Sequence, residues 1–217
     1  EPLDPFRIKL VRINGEKADI KNGEQAENIR NDLDGRSLKV AQIATREISK
    51  RAGPPYITSS LQQAASSTCG YEPKRTMSIA QKLYEGVDLG EGPVGLITYM
   101  RTDSFFIAQD ALQACRSFIG ENFGAEYLPE KPNYYKSRGS AQEAHEAIRP
   151  TDVCRTPESL AHNLDPTELK VYKLIWQRFV ASQMAPARIE QRIAKVEALP
   201  TEQKKSTYVF NASASEI

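Results

Sequence analysis

The sequence predicts an α+β fold in which a mainly helical domain is inserted into a split β domain. Apolar residues alternate with period two near both ends of the chain, whereas in the middle they recur every three or four residues. A length of 217 residues allows one large domain or two smaller ones. We therefore expect a β domain at residues 1–58 plus 186–217 and a helical domain at residues 59–185, with the two crossings forming a hinge.

The N-terminal region has the pattern of β strands. Residues 6–13 alternate between two faces, and Asn14-Gly15 then supplies the positive-φ residues of a tight hairpin turn. A second strand is expected at residues 38–48, which carry several β-branched side chains. The Gly-Pro-Pro segment at residues 53–55 cannot continue either regular structure, so it marks the end of the β region.

The middle of the chain is predicted to hold five helices, because caps, glycine stops and a proline start recur between apolar stretches of helical period. The predicted helices begin near Ser59, Met77, Ser104, Ser140 and Asp165, and three of them end before Gly70, Gly86 and Pro150. Ser140 and Glu143 form a capping-box pattern. The β pattern returns at residues 189–199 and 207–212.

Composition limits the function classes. Hydrophobic residues make up 40% of the chain and charged residues 26%, which is typical of a globular protein, and no apolar stretch reaches bilayer length. The net charge of +1 does not indicate a broadly basic nucleic-acid-binding surface. Three widely spaced cysteines and two histidines form neither a disulfide framework nor a zinc site, so we expect buried thiols, no bound metal and a cytoplasmic protein.

Two short motifs resemble functional sites but lack the required context. Residues 90–95 match G-x-G-x-x-G, yet a strand-like segment follows them where a dinucleotide site needs a helix. His145-Glu146 would need a second histidine four residues later to match the zinc protease motif, and Arg149 stands there. A serine hydrolase is also disfavoured, because the Gly-x-Ser-x-Gly elbow is absent.

The segment around Tyr99 combines groups that bind and attack phosphate. In an extended run Tyr99 and Arg101 lie on one face, and a helix is expected to begin within residues 102–104. A helix N-terminus offers free amides and a partial positive charge to a phosphate. The alternative is a half-buried tyrosine, a solvated arginine and an ordinary helix cap.

A second segment places His145 and Arg149 four residues apart on a predicted helix, where both would face the same side. The alternative is a capped surface helix with a packed histidine. Together with Tyr99 and Arg101, however, they make up the set of groups that an enzyme needs to attack a phosphodiester. Tyrosine supplies the nucleophile, and the cations stabilise the pentavalent transition state.

Three segments resemble motifs of the type IA DNA topoisomerases. They are Leu-Ile-Thr-Tyr-Met-Arg-Thr-Asp-Ser at residues 96–104, Ala-His-Glu-Ala-Ile-Arg-Pro-Thr at residues 144–151, and Thr-Ser-Ser-Leu-Gln-Gln-Ala-Ala at residues 58–65. Met100 favours the bacterial topoisomerase I branch, since the topoisomerase III branch usually has proline there. The resemblance implies that the helical domain carries the catalytic tyrosine and that the β domain forms the arch of the family's toroid.

The resemblance also implies a role for each site residue. Tyr99 would attack single-stranded DNA, form a 5′-phosphotyrosine and release a 3′ hydroxyl, so that religation needs no ATP. Arg101 would hold the scissile phosphate, and His145 would support the reaction. The residues expected to contact DNA are Arg101, Thr102, Asp103, Ser104 and Arg149.

The family's metal-binding domain has no counterpart in this sequence. The resemblance therefore implies an internal fragment of a nucleoid-associated enzyme, with Mg²⁺ ligands in other domains of the same chain and with single-stranded segments of supercoiled DNA as substrate. We expect no relaxation of DNA by the fragment alone. A tyrosine recombinase is an alternative, although there the tyrosine follows the basic residues, whereas Tyr99 precedes His145 and Arg149. A non-catalytic DNA-clamping module is the other alternative.

Overall fold

The structure, a computed structural model, describes residues 6–90, 92–136 and 145–216. Two compact units divide the chain: unit 1 comprises Glu1–Lys50 and Ala187–Ile217, and unit 2 comprises Arg51–Pro186. None of the helices within the described ranges is long and apolar enough to cross a membrane.

The described strands and helices follow one another along the chain. The strands are β1 (Lys9–Ile13), β2 (Glu16–Lys17), β3 (Leu38–Lys50), β4 (Val87–Asp88), β5 (Pro93–Val94), β6 (Ala187–Ala198) and β7 (Tyr208–Glu216). The helices are α1 (Gly23–Leu33), α2 (Thr58–Cys69), α3 (Pro73–Glu85), α4 (Gln109–Asn122) and α5 (Pro166–Gln183), with a 3₁₀ turn at Ala125–Tyr127.

Unit 1 is built on a five-stranded antiparallel sheet with the strand order β2-β1-β7-β6-β3. The hairpin between β1 and β2 turns at Asn14 and Gly15, whose φ angles of 49° and 85° confirm the predicted tight turn. The strands predicted at both ends of the chain are likewise present. Sequence patterning misses α1, which packs Ile29 and Leu33 against the apolar core of this sheet.

Unit 2 is mainly helical, and α5 supplies much of its core. Gly70 ends α2 in the left-handed conformation and Gly86 follows α3, so both predicted glycine stops are confirmed. Asp165 caps α5 as predicted by accepting hydrogen bonds from the N–H groups of Thr167 and Glu168. The predicted cap Ser59 is wrong, because α2 already begins at the preceding residue.

The glycine-rich segment of unit 2 lies at a short hairpin. The Gly-x-Gly-x-x-Gly segment forms part of the β4–β5 hairpin, where the Gly90 N–H donates to the Asp88 side chain at 2.8 Å. No helix follows it directly, in agreement with the prediction.

The three cysteines are free. Cys115 is buried, and burial raises the pKa of its thiol to about 12. Cys154 is exposed, so the prediction that all the cysteines are buried is wrong.

Candidate active site

The candidate nucleophile lies in a segment that forms neither helix nor strand and bends at Met100 and Arg101. Side chains alternate between exposed and buried positions along it, so Tyr99 and Arg101 both lie on the solvent side, as predicted. The exposed residues are Tyr99, Arg101 and Asp103, and the buried ones are Met100, Thr102 and Ser104. The Tyr99 side chain is 44% exposed and therefore accessible to a macromolecular substrate.

The helix expected to begin at residues 102–104 does not begin there, because α4 starts at Gln109. Instead, Thr102 Oγ1 accepts from the Ser104 N–H at 3.0 Å, and Ser104 Oγ accepts from the Phe106 N–H at 3.1 Å. Such bonds between a hydroxyl and a nearby amide compete with helix formation. The predicted phosphate-binding helix N-terminus is therefore wrong for this segment.

The segment at residues 145–150 is extended and does not form the predicted helix. Two backbone bonds hold it against neighbouring segments: the Ala147 N–H donates to the Phe106 carbonyl, and the Ile148 N–H donates to the Tyr56 carbonyl, both at 2.8 Å. These contacts satisfy its backbone through partners far away in the sequence.

His145 and Arg149 consequently do not share a helix face, and this prediction is wrong. Arg149 precedes Pro150, and the proline ring disfavours helical backbone at the residue before it. The predicted capping box of Ser140 and Glu143 lies outside the described residues.

Thr98 joins the Tyr99 segment to the segment that carries Arg149. Its N–H donates to the Arg149 carbonyl at 2.9 Å, and its hydroxyl donates to the Ala147 carbonyl at 2.7 Å. The same hydroxyl accepts from the Arg149 N–H at 3.0 Å. The backbone immediately before Tyr99 is therefore fixed by Thr98, whose bonds attach it to Ala147 and Arg149.

Thr58, the first residue of α2, holds the other side of Tyr99. Its hydroxyl donates to the Met100 carbonyl at 2.7 Å and accepts from the Thr102 N–H at 2.9 Å. Its own N–H donates to the Thr102 carbonyl at 3.0 Å. These bonds fix the start of α2 beside the segment that carries Arg101.

A second exposed tyrosine lies beside Tyr99. The rings of Tyr84 and Tyr99 form an edge contact with centroids 5.3 Å apart and an interplanar angle of 65°. Backbone contacts support this pair: the Leu96 N–H donates to the Leu83 carbonyl at 2.7 Å. A Cβ at Gly95 would lie 2.8 Å from the Tyr84 carbonyl oxygen, so glycine is required at this close approach.

Two cavities surround these segments. The tyrosine cavity, of about 260 Å³, is lined by Tyr84, Thr98, Tyr99, Thr102, His145 and Glu146. The arginine cavity, of about 440 Å³, includes Arg101, Thr102, Asp103 and His145 in its lining. Because Thr102 and His145 line both cavities, the predicted nucleophile and the predicted phosphate-binding arginine belong to one continuous region.

The start of α2 completes the arginine cavity. Ile57, Thr58, Ser59 and Gln62 line it together with Arg101. The convergence of a guanidinium with a helix N-terminus is therefore real, but the helix is α2, which lies about forty residues before Arg101 in the sequence. Thus the first turn of α2 lines the same cavity as the Arg101 guanidinium and the Asp103 carboxylate.

The structure brings most of the predicted site residues to these two cavities. The residues that line them are Tyr99, Arg101, Thr102, Asp103 and His145. Ser104 is buried and bonded to backbone. Arg149 is 11% exposed, pairs with Glu146 at 2.6 Å and donates to the Pro150 carbonyl, so it supports the local framework.

Mg²⁺ prefers several oxygen ligands around one ion, and the described residues do not provide such a set. Within the described ranges no three His, Cys, Asp or Glu side chains converge as a metal site. The carboxylates of Asp103 and Glu146 line different cavities, and that of Glu146 is paired with Arg149. The residues present do not fit Mg²⁺.

Sequence reasoning assigned no role to Tyr84, Thr98 or Gln62. Thr98 and Gln62 lie inside two of the motif segments, so the motifs themselves were the available signal. Tyr84 had no such signal, because its helical spacing is that of an ordinary core position. Only the packing of α3 against the Tyr99 segment reveals it.

Comparison with known proteins identifies the family. Residues 6–217 match the family described as DNA topoisomerase. The chain is 48% identical to DNA topoisomerase 1 of Campylobacter jejuni over 187 residues, covering 85% of this chain and 27% of that protein. It is 42% identical to DNA topoisomerase 1 of Rickettsia felis over 216 residues, covering 98% of this chain and 27% of that protein.

A solved structure gives the same result. The chain resembles full-length topoisomerase I from Thermotoga maritima with a TM-score of 0.71 and 36% identity, over 93% of this chain and 31% of that one. This likeness confirms the predicted α+β fold. The chain spans about a quarter of the length of the Campylobacter and Rickettsia relatives. On the family match and these similarities, the chain belongs to the DNA topoisomerase family, as the type IA motifs predict.

Proposed function

We propose that this chain is the tyrosine-bearing part of an ATP-independent DNA topoisomerase that relaxes negatively supercoiled DNA. The observation that carries the proposal is the exposed Tyr99 phenol next to a cavity lined by Arg101, His145 and the start of α2. Because the chain spans about a quarter of its relatives, the complete activity is assigned to the full-length protein that contains it.

The proposed reaction is a reversible phosphoryl transfer. Tyr99 Oη forms a bond to phosphorus while the bond from phosphorus to the 3′ oxygen breaks. The phenolic proton leaves to solvent, and the departing 3′ oxygen takes up a proton. Since one phosphate ester replaces another, the 3′ hydroxyl can reverse the step and reseal the strand without ATP.

The cations and helix amides around the arginine cavity would stabilise the extra negative charge of the transition state. Arg101 is assigned to the scissile phosphate, and His145 to a supporting contact at the junction of the two cavities. Asp103 would orient these cations. We propose that Thr102 and Ser104 hold the local backbone in shape through their hydroxyl groups. Arg149 would hold the segment that carries His145 in position.

The proposed substrate is a single-stranded segment of supercoiled DNA, which places the protein with the nucleoid in the cytoplasm. We assign the Mg²⁺ requirement, and the ligands that meet it, to other domains of the full-length chain. Unit 1 is assigned to the arch of the toroid, with its two crossings into unit 2 as the hinge; the β-α-β order along the chain supports this assignment.

Tyr99→Phe in the full-length protein tests the nucleophile. Phenylalanine keeps the ring but removes the attacking oxygen, so covalent capture of a labelled single-stranded oligonucleotide should be lost. Tyr134→Phe is the matched control, because Tyr134 is an exposed tyrosine that lines neither of the two cavities. It should form the adduct normally.

The polarity of the adduct separates the alternatives. A 5′-phosphotyrosine supports the topoisomerase, whereas a 3′-phosphotyrosine supports a recombinase-like enzyme. An adduct that persists in the Tyr99→Phe protein would exclude Tyr99 as the nucleophile. Binding without any adduct in the unmodified protein would support the DNA-clamping alternative.

A further inference from the structure

We propose that one face of α3 binds the phosphodiester backbone of the DNA strand whose 5′ phosphate becomes attached to Tyr99. This inference rests on the proposed function. It is based on a groove of about 560 Å³ along α3, called the α3 groove. Its polar lining residues are Lys74, Ser78, Gln81, Lys82, Glu85 and Arg101.

The spacing of these residues explains the shape of the groove. Lys74, Ser78, Gln81, Lys82 and Glu85 recur at three- and four-residue steps, so they lie on one face of α3. Lys74 and Lys82 are separated by about 12 Å along the helix axis, from the rise of 1.5 Å per residue. That distance matches about three to four nucleotides of a stacked strand.

Positive charge predominates in the α3 groove. Lys74, Lys82 and Arg101 contribute cations, and Glu85 is the carboxylate in the lining. The Glu85 carboxylate accepts a hydrogen bond from the Gln81 side-chain amide at 2.6 Å. This bond gives the Glu85 carboxylate a neutral partner inside the groove, so that Glu85 does not pair with the groove cations.

The pairing of Lys82 does not prevent phosphate binding. Its ammonium lies 3.3 Å from a Glu168 carboxylate oxygen; the lysine side chain is 62% exposed and that of Glu168 13%. The Glu168 carboxylate also accepts from the Asp165 N–H at 3.2 Å, so it keeps a partner when the exposed ammonium turns to a phosphate. Arg75 does not line the groove, and its guanidinium lies over the Tyr71 ring at 4.4 Å from the ring centroid.

Arg101 connects the α3 groove to the site of cleavage, because it lines both the groove and the arginine cavity. Attack by Tyr99 leaves the 5′ phosphate bound to unit 2, while the released 3′ end has no covalent link to it. The nucleotides that follow the scissile phosphate therefore stay on the unit that carries the groove. This continuity assigns the groove to that side of the break.

The test compares two single-stranded oligonucleotides that are identical before the cleavage position. One has about eight nucleotides after it, which is enough to span the groove, and the other has two. The double variant Lys74→Gln/Lys82→Gln is measured in the full-length protein with Tyr99→Phe, so that binding is not complicated by cleavage. The readout is Kd over a range of salt concentrations.

We expect the double variant to bind the long oligonucleotide several-fold more weakly and the short one with little change. Loss of two phosphate contacts should reduce the slope of log K against log salt by about 1.4 for a single strand. Glu168→Gln removes the partner of Lys82 but leaves the groove cation, so it should not weaken binding. Lys170→Gln/Lys173→Gln, on the exposed face of α5, controls for general loss of charge.

Two results would overturn the inference: unchanged binding of the long oligonucleotide, or equal weakening for both lengths. Neither result would contradict the proposed function, because that function is tested separately by adduct formation in the protein that retains Tyr99. If the protein with Tyr99 forms no adduct, the proposed function fails instead, whatever the lysine variants show.

Discussion

At the scale of single residues, the orientation of the Tyr99 ring depends on Tyr84. The two rings touch edge to face at 5.3 Å between centroids, and such a pair contributes about 0.5–1.5 kcal/mol beyond its buried area. In-line attack requires the phenol oxygen to approach phosphorus along a narrow range of directions. A neighbour that restricts the Tyr99 ring is therefore expected to favour reactive orientations of the phenol.

We predict that Tyr84→Ala slows formation of the covalent adduct by about 3–10-fold in the full-length protein, as loss of one aromatic contact implies. Tyr84→Phe should restore the rate, because the ring and not the hydroxyl makes the contact. Single-turnover cleavage of a labelled oligonucleotide measures the rate, and its Kd should stay unchanged. A change in Kd with a normal cleavage rate would contradict a positioning role for Tyr84.

At the scale of secondary-structure elements, charged side chains determine how α1 and α5 are anchored. Asp165 accepts from the Thr167 hydroxyl at 2.6 Å and from the N–H groups at the start of α5. The Thr167 hydroxyl is the largest cause that lowers the pKa of Asp165, to about 2, and the Glu168 amide adds to it. The cap is therefore strongest while this carboxylate is ionised.

The lowered pKa makes α5 sensitive to acid. Because the pKa falls from 3.8 to about 2 on folding, the contribution of Asp165 is complete above about pH 4 and is lost as the pH falls through 2. We predict that Asp165→Asn, which keeps an N-cap acceptor, removes this dependence. Urea unfolding between pH 2 and 5 should show the unmodified protein losing stability relative to the variant; a constant difference would contradict the assignment.

Helix α1 is tied to the sheet of unit 1 by the chain that follows it. The Arg36 side chain is 1% exposed, and its guanidinium pairs with Asp32 at 2.7 Å and donates to the Ser206 carbonyl. The Tyr208 hydroxyl also donates to the Asp32 carboxylate, which is the largest cause that lowers the pKa of Asp32. One buried cation thus links the helix, its carboxylate and the sheet.

We predict that Arg36→Met lowers the free energy of unfolding by about 2–3 kcal/mol, because it removes the hydrogen bonds that a buried guanidinium makes to the Asp32 carboxylate and the Ser206 carbonyl. Arg30→Met is the matched control on the same helix, since the pair of Arg30 with Glu27 is exposed and should contribute at most about 1 kcal/mol. Denaturant unfolding of both variants measures the difference. Equal effects would show that burial of Arg36 does not matter.

At the scale of the whole molecule, the chain carries a candidate nucleophile and candidate phosphate-binding groups, and the described residues hold no metal cluster. The tyrosine and arginine cavities lie within unit 2. The described ranges hold no cluster of three possible metal ligands, and the Campylobacter relative is about three times as long as this chain.

We predict that the chain alone does not relax negatively supercoiled plasmid in the presence of Mg²⁺, whereas the full-length protein does. Gel electrophoresis of the plasmid topoisomers measures relaxation. The Tyr99→Phe chain controls for a contaminating topoisomerase. Relaxation that requires Tyr99 in the isolated chain would show that the chain is a sufficient catalyst.

The sequence by itself determined the elements whose signals are local. Asn14-Gly15 specified a hairpin, Gly70 and Gly86 ended helices, and Asp165 began one, because each acts through backbone angles or hydrogen bonds within a few residues. The motif segments similarly located the candidate nucleophile, Tyr99. These features do not depend on what packs against them.

Only the tertiary structure decided the geometry around that nucleophile. The segment that carries His145 is held by isolated β-bridges to Tyr56 and Ile97, and Thr98 is bonded to Arg149, 51 residues away. The helix N-terminus beside Arg101 is that of α2, and Tyr84 reaches Tyr99 from α3. Local sequence cannot specify these partners, because the free energy of pairing and packing depends on segments that only the complete fold brings together.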